Sequence, residues 1–283
     1  MRFIKLIALL ALLSPALASA QSSAIERIRT MKVVNIAFRA DALPFSFKDA
    51  NGQPAGYTVE LCKNVAASMG SHLNVPGLKI HWIEATSQNR FELIEKRQAD
   101  MECGATTATL KRMELVDFSN YVFVDSTGVL TRRASGILAF PDLAGKRIAV
   151  IAGTTNEVAL KSALKRRFVD AKVVAYPSRE AAVAALEADQ ADAFASDKVL
   201  LEGIAGKVKD TGKYVMLPDN LSFEPYAIAL PRNDSALRLE VNRGLSQAFG
   251  SPAIKEIFER TFGATAEPTQ LLQALYLVGR IPE

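Results

Sequence analysis

Few residues in this chain combine types and spacing that suit chemistry. The clearest local device is Gly153-Thr154-Thr155-Asn156-Glu157, which follows a strand-like run from Lys146 to Ala152 and leads into an amphipathic helical stretch. Thr154 and Glu157 stand at capping-box spacing, so the helix start presents free N–H groups that suit an anion wherever a cleft lies beside it. Most such segments merely satisfy a helix end. His72 falls in a loop and His81 in a short strand, neither beside a Ser or Cys that it could activate. No nucleophile elbow, Walker loop, dinucleotide-binding glycine motif or His-Glu-x-x-His pair occurs. Two His and two Cys far apart do not make a metal centre, so neither metal nor cofactor is expected.

Cys62 lies on the helical face Thr58, Cys62, Val65, Met69, and Cys103 ends a short apolar strand. In an oxidising compartment the two can pair, but contact between a helix and a sheet does not guarantee disulfide geometry. A catalytic thiol has no basic partner in sequence.

The elements that must position these residues alternate. Val33 to Phe38 reads as a strand, and Phe45 to Gln53 as a strand entering an Asn51-Gly52 turn. Helical periodicity runs from Tyr57 to Met69 and is expected to stop at Gly70. Lys79 to Ile83 and Met101 to Cys103 are strands around a helix over Asn89 to Lys96. A second set comprises the strand at Lys146, a helix to Phe168, a strand over Val173 to Tyr176, a helix over Arg179 to Ala188 and a strand over Ala193 to Ala195. Strands alternating with helices indicate α/β architecture with parallel pairing. Extended stretches, Asn120 to Arg133 and Ser222 to Pro231, flank the second set, so it reads as an inserted lobe with the chain crossing a hinge twice. The division expected is lobe 1 over 21–128 and 225–283, with lobe 2 over 129–224. A helical stretch over Glu267 to Gly279 is expected to pack against the first lobe.

The N-terminus has a different character. Arg2 and Lys5 precede the apolar run Leu6 to Leu13, and Ala18-Ser19-Ala20 supplies a small-x-small cleavage pattern. The run is far shorter than the roughly 20 apolar residues of a spanning helix, so residues 1–20 read as a cleavable signal peptide and the mature protein as periplasmic. Removing them leaves 263 residues and lowers the net charge from +4 to +2. Lys165-Arg166-Arg167 is the densest basic cluster and reads as a solvated helix face, so no nucleic-acid partner is expected.

Several segments together resemble a known family. Pro44-Phe45-Ser46-Phe47, Asn51-Gly52 and Gly56-Tyr57 look like the opening of family 3 extracytoplasmic solute-binding proteins of ABC importers. Thr86-Ser87-Gln88-Asn89-Arg90, Glu102-Cys103-Gly104-Ala105-Thr106-Thr107, Arg112 with Asp117-Phe118-Ser119, and the Gly153 segment resemble the glutamate/aspartate-binding branch. The likeness runs from about Ile36 to Phe262. It implies a type II periplasmic-binding-protein fold of two α/β lobes on two hinge strands, closing on ligand like a flytrap. It also implies a monomer that carries a small-molecule ligand to an inner-membrane ABC permease complex.

By the same resemblance Arg112 clamps a ligand α-carboxylate, Thr107 and Thr155 touch the amino-acid head group, and Asp197 receives the α-ammonium. Arg39, Ser87 and Arg90 match positions that hold a side-chain carboxylate. The residue types suit those roles, because a guanidinium offers paired N–H donors to a carboxylate. Two departures stand out. Ala105 replaces the branch's usual Ser, leaving a backbone carbonyl where a hydroxyl is lost. Arg179 stands where the branch carries His; it can strengthen capture of an acidic ligand, admit a larger anion, or simply begin a helix. The alternative of another class is a periplasmic cyclohexadienyl dehydratase-like enzyme on the same scaffold, for which Glu157 is the conceivable acid or base. The head-group set Thr107, Arg112 and Asp197 argues for a binding protein instead.

Overall fold

The computed structural model describes residues 23–206 and 212–282; the signal peptide expected over residues 1–20 lies outside them. Helix α1 (Ala24–Met31) starts where the Ser23 hydroxyl accepts from the Glu26 N–H. The chain continues through β1 (Val33–Arg39), the short strands β2 (Asp41–Ala42), β3 (Ser46–Lys48) and β4 (Pro54–Ala55), and α2 (Tyr57–His72). Next come β5 (Lys79–Ala85), α3 (Arg90–Glu95), β6 (Met101–Glu102), α4 (Leu110–Met113) and β7 (Asp117–Asp125). The second α/β run holds β8 (Thr127–Arg132), β9 (Arg147–Ile151), α5 (Thr155–Arg166), β10 (Lys172–Tyr176), α6 (Arg179–Glu187), β11 (Ala193–Asp197), α7 (Lys198–Ala205) and β12 (Tyr214–Met216). Strand β13 (Glu224–Leu230) returns to the first run, followed by α8 (Ser235–Phe249), α9 (Ala253–Phe262) and α10 (Gln270–Gly279).

These strands form two five-stranded sheets, ordered β5-β1-β6-β13-β7 and β10-β9-β11-β8-β12, and a small β2-β3-β4 sheet. In the first, β1 runs parallel to β5 and β6, while β13 is antiparallel to β6 and β7. Strand alternation sorts the side chains between two cores. Ile36 joins a large cluster with α2, α8, α9 and α10, whereas Ala37 joins a smaller one with Ile94 of α3. The second sheet is likewise covered on both faces, by α5 on one side and by α6 and α7 on the other. Burying each large aliphatic or aromatic side chain contributes roughly 1.5–3 kcal/mol, so each lobe carries its own core.

The chain changes sheets at Ser126, between β7 and β8, and again between Met216 and Glu224. The stretch read as one extended segment over Asn120 to Arg133 is therefore two strands serving different sheets. Gly70 corrects another expectation, since α2 continues past it to His72. A Cβ at Gly70 would lie 3.3 Å from Leu78 Cβ. The glycine serves close approach of the following loop, and the helix needs no glycine to end. The C-terminal helix α10 packs on the first lobe, and its Tyr276 hydroxyl meets the Tyr57 hydroxyl at 2.7 Å. Lys165, Arg166 and Arg167 are exposed, with Arg167 over the Phe140 ring.

Cys62 and Cys103 form a disulfide. It ties α2 to the end of β6, where the chain turns toward the inter-lobe cleft. Closing a loop across a sequence separation of 41 restricts the unfolded chain. The double variant Cys62→Ala/Cys103→Ala should lose about 2–4 kcal/mol of unfolding free energy in denaturant titrations. Unchanged stability would show that the bridge carries no such load.

Candidate ligand-binding cleft

The first wall of the cleft is built at the carboxyl ends of the lobe 1 strands. Arg39 closes β1, and its guanidinium reaches Asp41 Oδ2 at 2.7 Å while its Nε has no partner. After β5 the chain folds back on itself: Thr86 N–H donates to Asn89 Oδ1 at 2.7 Å, and Asn89 N–H to Thr86 Oγ1 at 3.2 Å. That reciprocal turn presents Ser87 and starts α3 with Arg90. Arg90 Nη1 donates to Thr106 Oγ1 at 2.9 Å, which in turn donates to Glu102 Oε2 at 2.6 Å. Gly104 is required between them, because a Cβ there would lie 2.4 Å from Glu102 Oε1 and 2.9 Å from Arg39 Cγ.

Arg112 is set by α4, where the Thr109 hydroxyl accepts from the Arg112 N–H. Its Nη1 donates to the Thr107 carbonyl at 2.7 Å. Both Arg90 and Arg112 lie against the Phe91 ring, 4.9 and 5.2 Å from its centroid. Such contacts hold a guanidinium plane without consuming its donors. Neither has a carboxylate within salt-bridge distance among the described residues, although Arg90 is 4% exposed and Arg112 is 9% exposed. Burial, then repulsion from Arg112, lowers the pKa of Arg90 to about 9. Burial also lowers that of Arg112.

The second wall comes from lobe 2. Thr154 caps α5 by accepting from the Glu157 N–H, and Glu157 Oε2 accepts from the Gly153 N–H at 3.0 Å. The Glu157 carboxylate is thus engaged at the helix start, which also leaves it without the free geometry a general acid or base needs. Thr155 and Asn156 follow, facing lobe 1. Arg179 begins α6 after the Ser178 cap; its Nη1 donates to Ser196 Oγ at 3.1 Å and its Nε crosses to the Asp41 carbonyl at 3.0 Å. Asp197 ends β11 with Oδ1 buried and unpartnered. Burial, and then the charge of Glu224, pushes the Asp197 carboxyl up.

The two walls meet. Besides the Arg179 contact, Gln88 Nε2 donates to the Pro177 carbonyl at 2.8 Å, so the lobes are closed on each other. Arg39, Ser87, Arg90, Ala105, Thr107, Arg112, Thr155, Arg179 and Asp197 all line one narrow cavity, together with Ala42, Ile151, Thr154, Asn156 and Leu200. Sequence reasoning did not single out Asp41, Glu102, Asp125, Glu224 or Tyr226. Glu102 and Glu224 left a signal nonetheless, since each is a charge inside an apolar strand run and must be buried with partners.

This arrangement has known counterparts. The model of bacterial extracellular solute-binding proteins, family 3, matches residues 34–264. The chain belongs to that family. It is 30% identical to the L-glutamate/L-aspartate-binding protein of Pseudomonas aeruginosa over 92% of this chain and 87% of the relative. It is also 30% identical to the glutamate/aspartate import solute-binding protein of Salmonella typhimurium, over 90% of this chain and 84% of the relative. The ABC transporter glutamine-binding protein of Bacillus subtilis is 25% identical, over 78% of each chain. Among solved structures, a mutant of ArgBP from T. maritima superposes with a TM-score of 0.73 at 25% identity, covering 84% of this chain and 98% of that one. A histidine-bound ABC uptake transporter binding protein from Streptococcus pneumoniae gives 0.74 at 21% identity, covering 84% and 95%. This solute-binding protein is therefore a two-lobe receptor and not an enzyme. No described helix is long and apolar enough to cross a membrane.

One group at the crossing of this solute-binding protein titrates near neutrality. Asp125 is pushed up to about 7 by burial and then by Asp197, against hydrogen bonds from the Ser126 and Val199 N–H groups. A carboxyl raised in the folded state stabilises it at low pH and loses that contribution as pH rises through the folded value. Ligand-free protein should therefore lose a few degrees of melting temperature as pH rises from about 4 to about 7 and level off above that. Asp125→Asn should flatten that slope in a thermal melt series, and a slope left intact would place the titrating group elsewhere.

Proposed function

We propose that this protein is the periplasmic substrate-binding component of an ABC amino-acid importer, and that its ligand is glutamate, aspartate or a close relative. The observation that carries the reading is the pair of buried guanidinium groups, Arg90 and Arg112, that lack a carboxylate partner among the described residues. A buried cation without a counter-charge is costly, by several kcal/mol. A ligand with two carboxylates removes that cost twice. Arg112 takes the α-carboxylate, and Arg90 takes the side-chain carboxylate with Ser87, Arg179 and the Asp41-paired Arg39. The α-ammonium goes to Asp197, whose Oδ1 has a free acceptor position, and to Thr107 and Thr155. The names of the Pseudomonas and Salmonella relatives point to the same ligand class.

The proposed cycle follows from the two lobes. Ligand bridges both walls, shifts the equilibrium toward the closed form, and the closed monomer delivers it to an inner-membrane permease complex after export by the signal peptide. Rejection of glutamine follows from charge, because a neutral amide would leave the Arg90 side of the cleft uncompensated.

Two measurements test this. Calorimetry on Arg112→Ala should show glutamate affinity reduced by about 100-fold or more, as expected for a buried charge pair left half-made, with the melting temperature of the ligand-free protein not lowered. Affinity equal to wild type would remove Arg112 from the site. In a thermal-shift series over amino acids and dicarboxylates, the wild type should be stabilised by acidic amino acids. Arg90→Ala should lose the preference for glutamate over glutamine, and stabilisation by basic amino acids instead would overturn the assignment.

A further inference from the structure

Glu224 is a buried carboxylate, 1% exposed, at the first position of β13 where the chain re-enters lobe 1. Four hydroxyl groups converge on it. Its Oε2 accepts from Thr107 Oγ1 at 2.6 Å and from Thr155 Oγ1 at 2.8 Å. Its Oε1 accepts from Ser222 Oγ at 2.5 Å and from Thr127 Oγ1 at 3.2 Å. Thr107 belongs to lobe 1 and Thr155 to lobe 2, so one carboxylate oxygen joins both walls. Glu224 itself does not line the cavity; Thr107 and Thr155 do.

The direction of these bonds is set by donor inventory. A carboxylate only accepts, and a threonine hydroxyl has a single proton with two lone pairs. Thr107 and Thr155 therefore commit their protons to Glu224 and keep only lone pairs for the cavity. The same direction runs through Thr127, which accepts from Asn156 Nδ2 at 2.8 Å while donating to Glu224.

We propose that Glu224 is the positioning residue for the ligand's α-ammonium: by holding the protons of Thr107 and Thr155 it makes both oxygens acceptors toward the cavity, one from each lobe. An ammonium has donors only and satisfies both. A carboxylate or carbonyl in the same place meets lone pairs and is rejected. Because the two acceptors come from opposite lobes, they converge only when the cleft closes, so closure and recognition of the ammonium are one event. This inference rests on the amino-acid reading above and adds the group that enforces it.

The test compares glutamate with glutarate, which keeps both carboxylates and lacks the amine. Wild-type protein should bind glutamate far more tightly by calorimetry. In Glu224→Met no carboxylate holds the threonine protons, so both hydroxyls can turn a proton into the cavity. The ratio of glutamate to glutarate affinity should then fall by about tenfold or more. Glu224→Asp keeps an acceptor-only group and should keep the ratio, while affinity for both ligands drops. A Glu224→Met protein that loses both affinities in equal proportion has lost only structure, and that result overturns the proposal. If Glu224→Met does not fold, Thr155→Val and Thr155→Ser decide: the valine should lower the ratio and the serine should preserve it, and an unchanged ratio in the valine variant is again fatal. A wild type that binds no acidic amino acid would instead overturn the underlying reading.

Discussion

A guanidinium withdrawn from water needs negative charge, and that need organises the centre of this protein. Four arginines, Arg39, Arg90, Arg112 and Arg179, are each less than a tenth exposed at the junction of the lobes. The fold answers them unequally. Arg39 receives Asp41, and Arg179 finds a carbonyl and a hydroxyl. Arg90 and Arg112 are held by Thr106, the Thr107 carbonyl and the Phe91 face, which fix their positions without neutralising them. Their charge is felt by Glu102 and Asp197 at a distance but met by no carboxylate in contact among the described residues, which is the part the proposed two-carboxylate ligand plays. It is tolerable only in a cleft that can open and let water back in.

The hinge makes that opening possible. Each lobe buries its own core on both faces of its sheet, so the lobes do not need each other to stay folded. What joins them near the cavity is largely polar: Arg179 to Asp41, Gln88 to Pro177, and Glu224 to Thr107 and Thr155, with Leu200 of α7 as the apolar contact that reaches the lobe 1 cluster. Water can replace such hydrogen bonds at small net cost, whereas separating two apolar faces would not be reversible on the same scale. A receptor that must close on ligand and release it is served by this division of labour.

Much of the architecture was legible beforehand for a simple reason. Period-2 and period-3.6 patterns report burial, and burial is what α/β layers share, so the alternation of elements and the twice-crossed hinge could be read directly. Local chemistry was legible where it is local: the Thr154 cap needs only residues up to Glu157. Errors appeared where a signal has two causes. Gly70 reads as a helix stop, yet its small size accommodates Leu78, a contact invisible along the chain. The stretch over Asn120 to Arg133 has one strand-like texture, and nothing in that texture marks Ser126 as the change of sheet. The Cys62–Cys103 pairing stayed open because it depends on how α2 sits on β6.

By itself, then, the sequence determined the two-lobe α/β class and, through its family motifs, pointed to arginines and threonines that meet in one cavity. Those features depend on periodicity and on short segments, which survive without coordinates. Only the tertiary structure decided which charges are already answered. Asp41 beside Arg39, Glu102 behind Thr106, and Glu224 between Thr107 and Thr155 are pairings across 2 to 117 positions of chain. An electrostatic or hydrogen-bond partner is defined by a few ångströms of space, and sequence separation carries no information about that distance once the chain has folded back on itself.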